Sequence, residues 1–134
     1  MNIKGLVWTL VLQPLLPEWA RKGDPHPLGL LENTHESLVV VSFTVNWDER
    51  QNDEFIKETT RRTIEQMDAV ATAYGTAHPF RYLNYCADWQ KPFEGYGEES
   101  WRFLRGVSKK YDPEGLFQTG CVGGFKLGIF DDEG

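Results

Sequence analysis

Neutral polar side chains recur at alternate positions in three short stretches of the 134-residue sequence. Thr9, Val11 and Gln13 alternate with Trp8, Leu10 and Leu12. Val40, Ser42, Thr44 and Asn46 alternate with Val39, Val41, Phe43, Val45 and Trp47. Phe80, Tyr82, Asn84 and Cys86 alternate with Arg81, Leu83 and Tyr85. A tyrosine hydroxyl can donate to a carbonyl, or accept a proton when its pKa is lowered. Asparagine and glutamine amides can hold an enolate or carbonyl oxygen in the manner of an oxyanion hole. Threonine and serine hydroxyls can orient a substrate. Cys86 would need a neighbouring base to act as a nucleophile, and no histidine stands near it in sequence. His35 and His78 could serve as bases, but both fall in expected loops, where an ordinary surface role is the simpler reading. The three histidines and two cysteines show no metal-ligand spacing.

The elements that must position these groups follow from periodicity. Gly5 to Gln13 reads as a strand closed by Pro14, and Leu38 to Trp47 as a second strand. Pro17 to Lys22 can form one or two helical turns before Gly23. Gly23 to Thr34, with its prolines and glycines, reads as a loop. Asn52 and Asp53 can cap a long helix that runs to about Tyr74 and stops at Gly75. Its expected buried stripe is Ile56, Thr60, Thr63, Met67, Val70 and Tyr74. Val70 and Met67 are expected to pack on Trp47 and Phe43. His78 to Cys86 reads as a third strand. A helix from Glu98 to Tyr111 follows, with Trp101, Leu104, Val107 and Tyr111 inward, and Asp112-Pro113 ends it. The glycine-rich remainder is irregular, with a tail from about residue 128 expected to fray. The expected architecture is α+β: a small antiparallel or mixed sheet with two main helices on one face, forming a single domain.

Helices can cover only one face of such a sheet. The opposite face carries almost no charge, although exposed sheets usually do. A plain solvated face is one reading; a ligand, a second copy or a further domain covering it is the other. The net charge of -6 argues against a nucleic-acid or anionic-lipid partner. No apolar run is long enough to span a bilayer. The first sixteen residues lack the basic cluster and cleavage site of a signal peptide. With two thiols expected to be free, a cytoplasmic location follows as the expectation.

Further residues carry a resemblance. Tyr82-Leu83-Asn84-Tyr85, Trp89-Gln90, Tyr96-Gly97, Tyr111-Asp112-Pro113 and Leu116-Phe117-Gln118 stand in the order found at the C-terminal end of berberine-bridge-type oxidases. Trp8, Gln13-Pro14, Leu28-Gly29 and Trp47 resemble fungal members of that group. The resemblance implies a C-terminal portion of a FAD-linked oxidoreductase without its FAD-binding domain, so that no cofactor is expected on the isolated chain. It also implies that Tyr82 and Asn84 face the ligand as candidate catalytic residues. Thr9, Val11, Gln13, Ser42, Thr44, Phe80, Tyr85 and Cys86 are then the expected substrate-binding residues.

Two functions remain open on this reading. One is a free-standing, flavin-independent isomerase, dehydratase or cyclase acting on a small apolar natural product. The other is one half of a split or fragmentary FAD-dependent oxidoreductase that needs a flavin-binding partner chain. A homodimer with its sheets face to face is the expected assembly, because a second copy can cover the uncharged face.

Overall fold

The structure is a computed structural model that describes residues 3–22, 24, 26–30 and 36–128. His35 and the expected fraying after residue 128 lie outside the described residues. The chain divides into two compact units, Met1–Pro14 with Val39–His78, and Leu15–Leu38 with Pro79–Gly134. The fold is α+β, with a two-stranded antiparallel sheet and two long helices. Among the described residues no helix is long and apolar enough to cross a membrane.

The first unit holds most of the sheet. Strand β1 spans Val7–Leu15 and β2 spans Leu38–Asn46. The Asp48 N–H donates to the Lys4 carbonyl at 3.2 Å, just beyond the paired ends. Pro14 lies inside β1 instead of closing it. Each strand of a two-stranded sheet has an unpaired edge, where a missing N–H costs no ladder bond. Trp8 meets Phe43 edge to face at 5.7 Å, so these two side chains share one face. Much of this face is nonetheless open: Leu10, Leu12, Val39 and Val41 are all exposed.

Helix α2, Asp53–Ala73, follows a short 3-10 turn at Arg50–Asn52 (the six-residue Pro17–Lys22 is α1). Asn52 is its capping residue, but its side chain makes no capping bond. The start of α2 is instead tied to the end of β2 by the Trp47 indole, which donates to the Asp53 carboxylate at 2.7 Å. At the other end Gly75 takes a φ of 69°. The N–H groups of Gly75 and Thr76 then reach the carbonyls of Thr72 and Ala71, which is the Schellman pattern. Along the helix Ile56 is buried at 2% exposure, and Thr60, Thr63, Met67 and Ala71 are half-buried. The expected stripe fails at its C-terminal end, where Val70 is 56% and Tyr74 80% exposed. Ala71 takes the place that a step of three from Met67 assigned to Val70. A stripe advancing by four here keeps the small alanine inside.

The second unit contains α1, helix α3 at Glu98–Tyr111 and the short helix α4 at Leu116–Thr119. Half-buried Trp101, Leu104 and Ser108 mark the inner line of α3, while Val107 and Tyr111 are exposed, contrary to the expected face. Asp112 ends α3 and starts α4. Its two carboxylate oxygens accept the N–H groups of Leu116 and Phe117 at 2.8 and 2.9 Å. Gly115 supplies the left-handed turn between them, at φ 66°. Gln118 accepts the Leu127 N–H, and the Lys126 ammonium donates to the carbonyls of Phe117 and Cys121. The Asp-Pro and Leu-Phe-Gln motifs are thus structural: they fasten the glycine-rich C-terminal segment to α4.

Candidate functional site

The expected third strand does not form. From Thr76 to Tyr82 the backbone has no regular structure, and Leu83–Tyr85 is a 3-10 turn. Pro79 lacks an N–H, and the N–H groups of Tyr85 and Cys86 are used locally, on the carbonyls of Tyr82 and Leu83. A strand needs those groups for a neighbour. The alternation in sequence was therefore a poor guide to which side chains meet.

The turn brings the Tyr82, Asn84, Tyr85 and Cys86 side chains together by another route. In 3-10 geometry residues three apart align, and the Tyr82 and Tyr85 rings meet edge to face at 4.8 Å. The Asn84 amide donates to the Tyr82 hydroxyl at 3.2 Å. The Cys86 thiol donates to the Tyr82 carbonyl at 3.3 Å. Tyr82 is the hub of this cluster, half-buried, whereas Asn84 and Tyr85 are exposed. Because the Tyr82 oxygen accepts from Asn84, its own proton points to a further acceptor, which a ligand oxygen can supply. Burial pushes the Cys86 thiol above its ordinary pKa, partly offset by the positive charge of Arg81. A thiol held protonated is a weak nucleophile, so Cys86 packs and donates.

Phe80 stacks on Tyr96 at 5.9 Å. Phe93 links the same ring to Trp101, at 5.9 and 5.8 Å. Tyr96 is the deepest aromatic side chain among the described residues of this unit, 3% exposed. Two glycines allow the backbone to close around it. A Cβ at Gly29, where φ is 69°, would collide with the Tyr96 carbonyl, and one at Gly95 would collide with the Pro79 carbonyl. Gln90 completes the frame by accepting the Ala87 N–H at 2.9 Å. Sequence reasoning assigned Tyr96 no role in the site. The signal was present in Gly95-Tyr96-Gly97, since glycines flanking an aromatic mark close backbone approach.

The remaining expected residues belong to the first unit. Trp8 and Phe43 share a face, so alternation places Thr9, Val11, Gln13, Ser42 and Thr44 together on the opposite one. Thr9, Val11, Gln13 and Thr44 are exposed and Ser42 is half-buried. The expected set therefore falls into two groups, one on each unit. His78 lies at the end of the first unit, half-buried. No group of three or more potential metal ligands occurs among the described residues.

Relatives with names bear on this geometry. The chain is similar to FAD-dependent monooxygenases. It is 38% identical over 122 residues to the FAD-dependent monooxygenase sdcF of Emericella nidulans, covering 87% of this chain and 25% of that protein. It is 32% identical to the FAD-dependent monooxygenase drtC of Aspergillus calidoustus, covering 94% of this chain and 25% of that protein. A third relative carries a different name: the oligopeptidase PhomG' of Diaporthe leptostromiformis, 30% identical over 94% of this chain and 11% of its own length. The chain spans about a quarter of the length of the monooxygenase relatives. No family profile and no solved structure matches it.

The helix N-termini among the described residues are poorly suited to the phosphates of a flavin dinucleotide. A pyrophosphate is commonly held at a helix N-terminus by free N–H groups and the helix dipole. Among the described helices these ends carry carboxylates: Glu18 on α1, Asp53 and Glu54 on α2, Glu98 and Glu99 on α3. On α4 the Asp112 carboxylate already occupies the N–H groups. These charges repel a phosphate. What the described residues offer is hydrogen bonding to a neutral ligand beside aromatic rings.

Proposed function

We propose that this chain is the substrate-facing part of an FAD-dependent monooxygenase, and that other polypeptide grips the flavin phosphates. The observation that carries the reading is the Tyr82–Asn84 pair: an amide donating to a phenol whose own proton is free for a ligand oxygen. The pair would orient a carbonyl or hydroxyl of the substrate, with the Tyr85 ring beside it. The similarity to named FAD-dependent monooxygenases supports the redox class, and the acidic helix N-termini support a flavin held elsewhere. The resemblance to berberine-bridge-type oxidases, with substrates among small natural products, is compatible with both.

A second reading has support from the same pair. Tyr82 and Asn84 supply a proton donor and an amide without any cofactor, the acid half of an isomerase or dehydratase and the positioning that a cyclase needs. One experiment separates the two. The chain is purified alone, then added to the Emericella nidulans relative from which the matching segment has been deleted. The first reading expects colourless protein alone, and recovery of flavin-dependent oxygen consumption in the mixture. In that mixture Tyr82→Phe should lower kcat/KM about tenfold to a hundredfold, as for a lost ligand hydrogen bond. Turnover by the colourless chain alone would favour the second reading and sink the first.

A further inference from the structure

We propose that the corner between α3 and α4 is a docking surface for the flavin-gripping polypeptide of the monooxygenase. Val107, Tyr111, Leu116, Phe117 and Val122 are all exposed in this stretch of the second unit. Single exposed apolar residues are ordinary on a protein surface. These are not scattered. Val107 and Tyr111 stand one turn apart on the same side of α3, and Leu116 and Phe117 open the helix that follows. Phe103, also exposed, extends the stripe by one more turn toward the start of α3.

The backbone beneath these side chains is held by hydrogen bonds from side chains. Asp112 accepts the N–H groups of Leu116 and Phe117, and the Gln118 amide donates to the Ser108 hydroxyl on the inner line of α3. Gln118 also accepts the Leu127 N–H, while the Lys126 ammonium ties the Phe117 and Cys121 carbonyls together. The corner therefore turns these polar groups toward its own backbone and its apolar side chains toward solvent. Solvent alone favours the reverse. A surface fixed in advance also loses little conformational entropy when it is covered.

The same observations choose the occupant. Val122 is fully exposed, so it lines no cleft of the kind that encloses a small molecule. Asp112 and Glu114 lie in the corner of a chain of net charge -6, which disfavours an anionic lipid surface. A protein surface remains, and the chain spans only about a quarter of the length of its monooxygenase relatives. The rest of such a protein is available as the cover. This choice rests on the reading of the chain as the substrate-facing part. The second unit carries both the corner and the Tyr82 turn, so docking here brings the flavin-bearing polypeptide to the unit with the proposed site.

Cys121, exposed beside Val122, reports on the cover directly. This chain is put in place of the matching segment of the Emericella nidulans relative. Iodoacetamide labelling of Cys121 is then timed by peptide mapping in that chimaera and in the isolated chain. Labelling should be at least about tenfold slower in the chimaera, because a covered thiol is out of reach. Phe117→Ala and Val122→Asp should leave the melting temperature of the isolated chain unchanged, as at surface positions, and lower that of the chimaera. Equal labelling of Cys121 in the two proteins overturns the proposal, as do variants that melt with the unmodified chimaera. A chimaera that does not fold overturns it too, and the complementation experiment then judges the monooxygenase reading. Protection of Cys121 in the isolated chain, on self-association or on added phosphatidylcholine vesicles, would make a second copy or a lipid surface the occupant and overturn it. If Cys121 is protected in the chimaera but Tyr82→Phe leaves oxygen consumption unchanged, the substrate-facing reading falls and the docking surface stands. If Tyr82→Phe slows oxygen consumption while Cys121 stays open, the docking surface falls and the reading stands.

Discussion

Cys86 shows how environment sets the chemistry of a reactive side chain. Its thiol donates to the Tyr82 carbonyl and is raised in pKa chiefly by burial, whereas Cys121 is exposed. The thiolate is the form that attacks alkylating agents, so the Cys86 rate follows the fraction deprotonated. At pH 7 iodoacetamide should label Cys121 well before Cys86. Labelling of Cys86 should accelerate only as pH climbs past the ordinary thiol range near about 8.5. Peptide mapping after timed labelling reads both sites. Equal rates at pH 7 would mean an activated thiolate and would restore Cys86 as a candidate nucleophile.

For the elements, burial along α2 decides which substitutions matter. Ile56 is its one fully enclosed side chain, while Val70 is more than half exposed. Ile56→Asp should unfold the first unit, since an unpaired buried carboxylate costs several kcal/mol against a small total stability. Val70→Asp should change stability by no more than about 0.5 kcal/mol, as for ordinary surface substitutions. Denaturant melts of the two variants check the register, and a Val70→Asp chain that fails to fold would return the helix to the stripe expected from spacing alone. The exposed ion pairs on this helix, Arg61–Glu65 and Arg62–Glu58, contribute little by comparison.

For the whole molecule, the sheet poses the main question of assembly. Leu10, Leu12, Val39 and Val41 are exposed on the face shared with Phe43, and Thr9, Val11 and Thr44 on the opposite one. A sheet that is apolar and open on its first face, and almost uncharged on its second, invites a cover. In a protein four times this length the additional polypeptide can supply one; in the isolated chain a second copy can. Sedimentation of the isolated chain should therefore give twice the 15.4 kDa chain mass, and Thr44→Glu should weaken association. A monomer at high micromolar concentration, or a dimer indifferent to Thr44→Glu, would reject the face-to-face arrangement.

Local rules were enough for α1, the two long helices and the existence of the two strands, but not for the short α4 in the stretch read as irregular, nor for Pro14 inside β1. The α3 bounds at Glu98 and Tyr111, the Gly75 stop of α2 and the helix at Pro17–Lys22 all follow from caps, breakers and periodicity. These signals act through backbone geometry within a few residues, so no distant contact is needed to read them. The stretch around Tyr82 was different. Its alternating aromatics look like a strand, but a strand exists only if another strand accepts its hydrogen bonds, and here the turn at Leu83–Tyr85 consumes them. The pairing of Asn84 with the Tyr82 hydroxyl depends on that turn, and alternation alone could place the two on one side without joining them. Tyr96 is the furthest from legible. Its burial depends on Gly29, 67 residues earlier in the chain, and on Gly95 closing against Pro79, contacts that only the folded backbone brings together.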